Sequence, residues 1–205
     1  MQADHAANPS QSLPPAARRF DAIALGGSAG GLEVLTVLLA ALPPDFAPAL
    51  LVVTHLPAET PSYLLETLQY RCALPVIEPD AGERIAAGRV HVAPPGYHMM
   101  VADDCTIALS VDSSVRYSRP SIDVLFESAA YVYGARLLGI LLSGANEDGA
   151  QGLATIRAMG GVAWVQDPAT ALSGTMPRAA IARGAADDIL SPTLMAQRLA
   201  ALPSL

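Results

Sequence analysis

Apolar residues fall along this chain in two alternating rhythms. Short continuous runs of aliphatic and β-branched side chains occur at Ala22 to Leu25, Leu50 to Thr54, Val76 to Ile77, Val90 to Ala93, Leu137 to Leu142, Val162 to Val165 and Asp188 to Leu190. Runs of this length read as strands, and strands apolar on both faces belong to a buried parallel sheet. Between them, apolar positions return at helical spacing. The clearest case spans Ser121 to Tyr133, where Ile122, Leu125, Phe126, Ala129, Ala130 and Tyr133 share one face. Leu32, Leu35, Leu38 and Leu39 mark a helix after the first strand, and Ala150 to Met159 marks another after the fifth. Thr60-Pro61 and Ser191-Pro192 are predicted helix starts, because a hydroxyl caps the helix and proline's missing N–H costs nothing in a first turn. Met99 to Leu109, centred on Asp103-Asp104, predicts an antiparallel hairpin. The fold class expected is α/β: a mainly parallel wound sheet with helices on both faces and an added antiparallel hairpin.

Residues 1–19 lack either rhythm and are rich in Pro, Ala, Gln and Ser, which predicts a disordered arm and leaves 20–205 as a single domain. Composition agrees: 52% hydrophobic and 15% charged residues suit one soluble domain with a sizeable core. No apolar run reaches the roughly 18 residues of a membrane span, and the N-terminus lacks the order of a secretory signal, so a cytoplasmic protein not inserted in membrane is expected. A net charge of −7 without any Lys/Arg cluster argues against nucleic acid as a partner. Cys72 and Cys105 stand apart from each other and from any histidine pair, so neither a zinc site nor a disulfide framework is indicated.

Three polar side chains follow predicted strands: Ser28 in Gly26-Gly27-Ser28-Ala29-Gly30-Gly31, His55 ending Leu51-Val52-Val53-Thr54-His55, and Asp148 in Ser143-Gly144-Ala145-Asn146-Glu147-Asp148-Gly149. A parallel sheet delivers the ends of its strands to one edge, where a nucleophile, a base and an orienting carboxylate would meet. Ser28 sits in the G-x-S-x-G pattern of a nucleophile elbow, with backbone N–H groups at the helix start placed to hold an oxyanion. A glycine turn before a helix also suits phosphate. Against that use, Ser28 replaces the middle glycine of G-x-G-x-x-G and no lysine follows.

Histidine is the side chain best suited to take a hydroxyl proton near neutral pH. His5 lies in the predicted arm, His91 lies inside a strand and reads as packed, and His98, after Pro94-Pro95-Gly96-Tyr97, is a second candidate near the site. The simpler role for Asp148 is to cap the helix that follows it, a role compatible with catalysis. The order Ser, His, Asp, with no histidine after position 98, departs from the Ser, acid, His order of α/β-hydrolases.

Taken together these segments resemble the catalytic domain of the CheB family, the bacterial chemotaxis receptor methylesterases. The resemblance runs from Phe20 to the C-terminus through Gly27-Ser28-Ala29-Gly30-Gly31-Leu32-Glu33, His55-Leu56-Pro57, Ala93-Pro94-Pro95-Gly96-Tyr97-His98-Met99, Arg119-Pro120-Ser121-Ile122-Asp123, Leu142 to Ala150, Gln166-Asp167-Pro168-Ala169-Thr170 and Met176-Pro177-Arg178. It implies a triad at Ser28, His55 and Asp148, with oxyanion donors from the backbone near Ala29 and Ala145 and with His98 and Met176 near the site. It further implies hydrolysis of glutamate methyl esters on the cytoplasmic helices of methylated chemoreceptors, deamidation of receptor glutamines as a second activity, and no metal or organic cofactor. Many family members carry Thr after the nucleophile and Met in the acidic loop, where this chain has Ala29 and Ala145. Regulatory members also carry an N-terminal receiver domain, which the residues before Phe20 are too few to build. The domain is therefore expected to act ungated, to answer to a separate regulatory protein, or to be a fragment. Two other readings stand beside the enzyme: a nucleotide-binding α/β module, and a CheB-like domain kept for protein interaction without catalysis.

Overall fold

The computed structural model describes residues 18–55 and 63–203. His5, the Thr60-Pro61 helix start and nearly all of the predicted arm lie outside the described residues. The strands are β1 (Ala22–Gly27), β2 (Ala49–Thr54), β3 (Val76–Ile77), β4 (Val90–Val92), β5 (His98–Val101), β6 (Ile107–Ser110), β7 (Leu137–Leu141), β8 (Val162–Gln166) and β9 (Asp188–Leu190). The helices are α1 (Gly31–Ala40), α2 (Leu64–Arg71), α3 (Ile122–Tyr133), α4 (Ala150–Ala158), α5 (Thr175–Ala182) and α6 (Pro192–Ala200). Seven strands form one sheet in the order β3-β4-β2-β1-β7-β8-β9, and every pairing in it is parallel. The wound α/β architecture expected from the apolar rhythm is thus the observed one.

Period-two alternation assigns each strand residue to a face. Ile23, Leu25, Leu50, Val52, Leu138, Ile140 and Trp164 join one core with α1, α2 and α6. Ala22, Ala24, Leu51, Val53, Leu137, Leu141 and Val165 join the other, with α3, α4 and α5. Small residues of β1 on the second face allow a close approach of α3. Among the described residues, the indole N–H of Trp164 is the buried side-chain polar atom without a hydrogen-bond partner.

Serine side chains cap two of the helices, and the one at Ser191 is the start predicted from Ser191-Pro192. Ser121 accepts from the Val124 N–H at the start of α3, and Ser191 accepts from the Leu194 N–H with Pro192 opening α6. The hairpin forms as β5 and β6 in a separate antiparallel sheet, tied to α3 where the Val101 N–H donates to Ser128 Oγ at 3.1 Å. Helix α5 is not anticipated by the apolar rhythm. It is short, and Pro177 lies in its first turn, where the missing N–H has no intrahelical partner to lose.

The chain builds outward from β1 on one side and from β7 on the other, so strand order reverses between these two neighbours. In open α/β sheets the crevice beyond the carboxyl ends of strands at such a point is the usual ligand site. Ser28 and Asp148 follow the two strands that flank it, and His55 follows β2 beside them.

Candidate active site

Register brings Ser28 and His55 side by side. Gly27 pairs with Thr54, and the His55 N–H donates to the Gly27 carbonyl at 3.2 Å. Ala22 and Ala24 in β1, and Leu51 and Val53 in β2, face the α3 side. Carrying the alternation past each strand end puts the side chains of Ser28 and His55 on that same side.

Ser28 occupies the turn between β1 and α1. Its N–H donates to Ser143 O at 2.8 Å, and its carbonyl accepts from Gly31 N at 2.7 Å. A trans peptide places N–H opposite C=O, so the Ala29 N–H points away from the inside of this turn. The left-handed conformation falls on Gly30, at φ 77°, and not on Ser28. The strained serine of an α/β-hydrolase elbow is therefore replaced by a turn whose unusual backbone sits on a glycine. Among the described residues neither the Ala29 nor the Ala145 N–H has a hydrogen-bond partner, which leaves both open to an incoming oxyanion.

Asp148 is fully buried. One of its oxygens accepts from His55 Nε2 at 2.8 Å and from the Ile122 N–H at 2.7 Å. The other accepts from Ser121 Oγ at 2.8 Å and from the Asp123 N–H at 3.0 Å. The expected cap of the following helix is not made: Gly149 opens α4 without a side-chain cap, and Asp148 instead caps the first turn of α3. The reciprocal contact comes from Asp123 in that turn, which accepts from the Gly152 N–H of α4 at 2.7 Å. The first turn of α3 is thus held by the carboxylate just ahead of α4, and the first turn of α4 by a carboxylate of α3. Burial alone would push the Asp148 carboxyl up, but the bonds from His55, the Ile122 and Asp123 N–H groups and Ser121 outweigh it and hold Asp148 below the ordinary aspartate value. For Asp123 burial wins, and the neighbouring Asp148 charge adds to it, so its carboxyl is raised.

An ionised Asp148 makes His55 Nε2 the protonated nitrogen and leaves Nδ1 as the acceptor. Nδ1 lies 3.4 Å from Ser118 Oγ. Among the described residues the Ser28 hydroxyl has no hydrogen-bond partner, so the structure joins His55 to Asp148 and sets Ser28 beside them without a bond to the imidazole. Apo sites commonly show such loose nucleophile geometry. Glu147 is exposed and turns to Arg116 at 3.7 Å and Arg183 at 3.9 Å. Asp148 is the one of the two adjacent carboxylates that reaches His55.

His98 is buried one step behind the site. Its Nδ1 accepts from the Ser121 N–H at 3.2 Å, and its Nε2 lies 3.2 Å from Ser113 O, a pattern that requires the Nε2–H tautomer. His98 thereby steadies Ser121, which steadies Asp148. Met176 is buried against the Gly144 turn and its N–H donates to Gly144 O at 3.0 Å, supporting the acidic loop from below. His91 is packed, with its ring nitrogens at Leu50 O and Ala86 N. The sequence reading missed Ser118, Ser121 and Ser143 as site residues. The Ser143 hydroxyl reaches Ala29 O at 2.6 Å and accepts from Ser173 N–H at 2.9 Å, tying three loops together. Ser121 and Ser143 lie in quoted motif blocks, a signal that was present, whereas Ser118 carried none. Among the described residues no cluster of His, Cys, Asp and Glu suits a metal ion, and no helix is long and apolar enough to cross a membrane.

The arrangement has known counterparts. A family model described as CheB methylesterase matches residues 23–199. A putative protein-glutamate methylesterase/protein-glutamine glutaminase of Leptospira interrogans is 43% identical over 172 residues, covering 84% of this chain and 89% of the relative. A protein-glutamate methylesterase/protein-glutamine glutaminase of Anaeromyxobacter dehalogenans is 42% identical across 89% of this chain, which spans 52% of that relative's length. The crystal structure of the Thermotoga maritima CheB methylesterase catalytic domain superposes with a TM-score of 0.84 at 26% identity, covering 89% of this chain and 98% of that one. By family model, by sequence and by fold, this chain belongs to the CheB methylesterase family.

Proposed function

We propose that this chain is a serine hydrolase that cleaves glutamate methyl esters on the cytoplasmic helices of methylated chemoreceptors and deamidates receptor glutamines. Ser28 is the nucleophile, His55 the general base and Asp148 the group that orients and stabilises the imidazole. The Ser28 hydroxyl gives its proton to His55 Nδ1 as Oγ bonds to the ester carbonyl carbon. The resulting oxyanion is held by the Ala29 and Ala145 N–H groups. Collapse breaks the bond to the methoxy oxygen, which leaves as methanol with the proton from His55. Water, deprotonated by the same nitrogen, then cleaves the acyl-enzyme and restores Ser28 and a glutamate carboxylate. With a glutamine substrate the leaving group is ammonia.

The observation that carries this reading is the buried Asp148 carboxylate on His55 Nε2 at 2.8 Å, which leaves Nδ1 as the basic nitrogen of a ring that follows β2 next to the Ser28 turn. The test is Ser28→Ala. Methanol release from methylated receptor should fall by about 10³-fold or more, because the attacking atom is gone while the oxyanion donors remain. The melting temperature should hold, since the Ser28 side chain makes no hydrogen bond among the described residues. Undiminished methanol release would reject the assignment.

A further inference from the structure

The turn that carries Ser118 holds two consecutive non-glycine residues in the left-handed region. Val115 and Ser118 exchange backbone hydrogen bonds at 3.1 and 2.9 Å, and the two residues between them, Arg116 and Tyr117, have φ of 47° and 66°. Two consecutive left-handed residues make a type I′ turn, which strongly prefers Asn-Gly because a side chain in that region crowds its own backbone. Here Arg116 is held from below, its Nε 3.1 Å from Asp123 Oδ2. Tyr117 is 103% exposed, so its ring contributes nothing to the core. The next residue places its hydroxyl 3.4 Å from the base nitrogen of His55. On the other side of the site Leu172, 81% exposed, lies against Gly30 of the Ser28 turn.

We infer that Tyr117 is a substrate-reading residue, presented in water at the mouth of the site to take the polypeptide around the esterified side chain. The inference rests on the methylesterase reading. Strain held at a functional site is tolerated when the rest of the structure over-determines it, and the Arg116–Asp123 pair and the Ser118–His55 contact do so here. An aromatic ring carried on this turn, one residue from the Ser118–His55 contact, offers large contact area, and Leu172 supplies a second apolar contact beside the Ser28 turn. The ring touches the substrate equally before and during the reaction, so it contributes to binding and not to the chemical step.

The experiment compares wild type, Tyr117→Gly and Tyr117→Phe by steady-state methanol release from methylated receptor and by thermal melting. Glycine suits the second position of this turn, so Tyr117→Gly should melt about 2 °C higher. Its KM for methylated receptor should rise about tenfold while kcat stays within about twofold. Tyr117→Phe should keep a KM near wild type. A purely structural turn residue would not raise stability and KM together. Tyr117→Gly with a wild-type KM, or with kcat and melting temperature both lowered, overturns the inference while leaving the methylesterase reading in place. Absence of methanol release by the wild type removes that reading and this one with it.

Discussion

Replacing Asp148 by asparagine sets two identical shapes against two different hydrogen-bond inventories. The carboxylate accepts four bonds, two at each oxygen, and an asparagine must put an NH₂ group at one of the two places. At the first, the NH₂ faces the Ile122 N–H and His55 Nε2. The imidazole would then have to bare Nε2 and carry its proton on Nδ1, closing the nitrogen proposed as the base for Ser28. At the second, the Ser121 hydroxyl turns to accept, the Asp123 N–H loses its partner, and the imidazolium formed during reaction has no counter-charge. Either orientation orphans one buried N–H, worth about 1–3 kcal/mol. A loss near 2 kcal/mol lowers the melting temperature of a domain of this size by roughly 4–8 °C. Turnover should fall by about 10³ to 10⁴, equivalent to about 4–5.5 kcal/mol of transition-state stabilisation. Methanol release from methylated receptor measures the loss of turnover, and unfolding followed by the buried Trp164 measures the loss of stability. An Asp148→Asn protein with kcat within tenfold of wild type would refute the role given to the carboxylate. Unchanged stability would refute the four-bond account.

The same variant carries a pH dependence with a defined sign. The Asp148 carboxyl lies below its ordinary value in the fold, so the stability it contributes is complete above the unfolded aspartate range and is lost as pH falls through the depressed value. The melting difference between wild type and Asp148→Asn should therefore shrink on acidification past that range; a difference constant with pH would contradict it. Asp123 works in the opposite direction: its carboxyl is raised, so the cost of keeping it ionised is relieved as pH falls through the raised value. Gly152→Ala tests the reciprocal capping of α3 and α4. A Cβ there would stand 2.6 Å from Phe126 Cβ and 3.0 Å from the Asp123 carbonyl, so the helices must separate, at about 1–3 kcal/mol. Melting should drop by several degrees and kcat should fall as Asp148 shifts; a wild-type melting curve would show that the two helices have room to spare.

Much of the architecture was legible in the chain. Continuous apolar runs such as Leu50 to Thr54 admit little besides a buried parallel strand, and the helix read over Ser121 to Tyr133 is α3 with Ser121 as its cap. Serine followed by proline at 191–192 opened α6 as read. Helix α5 escaped because eight residues with a proline near the start give too short a stripe to recognise. The strained turn at Arg116 and Tyr117 escaped because it lacks Asn-Gly, the local signal of its type.

The site divides along the same line. The common edge of Ser28, His55 and Asp148 is legible because the first two directly follow strands and the third lies in the loop after one, and strand ends are written in local composition. Which helix Asp148 caps, which nitrogen of His55 it holds, and which hydroxyl meets the other nitrogen depend on α3 packing against α4 and on loops far apart in sequence. Periodicity arises from sterics between near neighbours, so the sequence alone determined the layers and the edge where the chemistry gathers. Hydrogen-bond partners across the crevice are chosen by the closest donors and acceptors once the layers have packed, and that choice belonged to the tertiary structure.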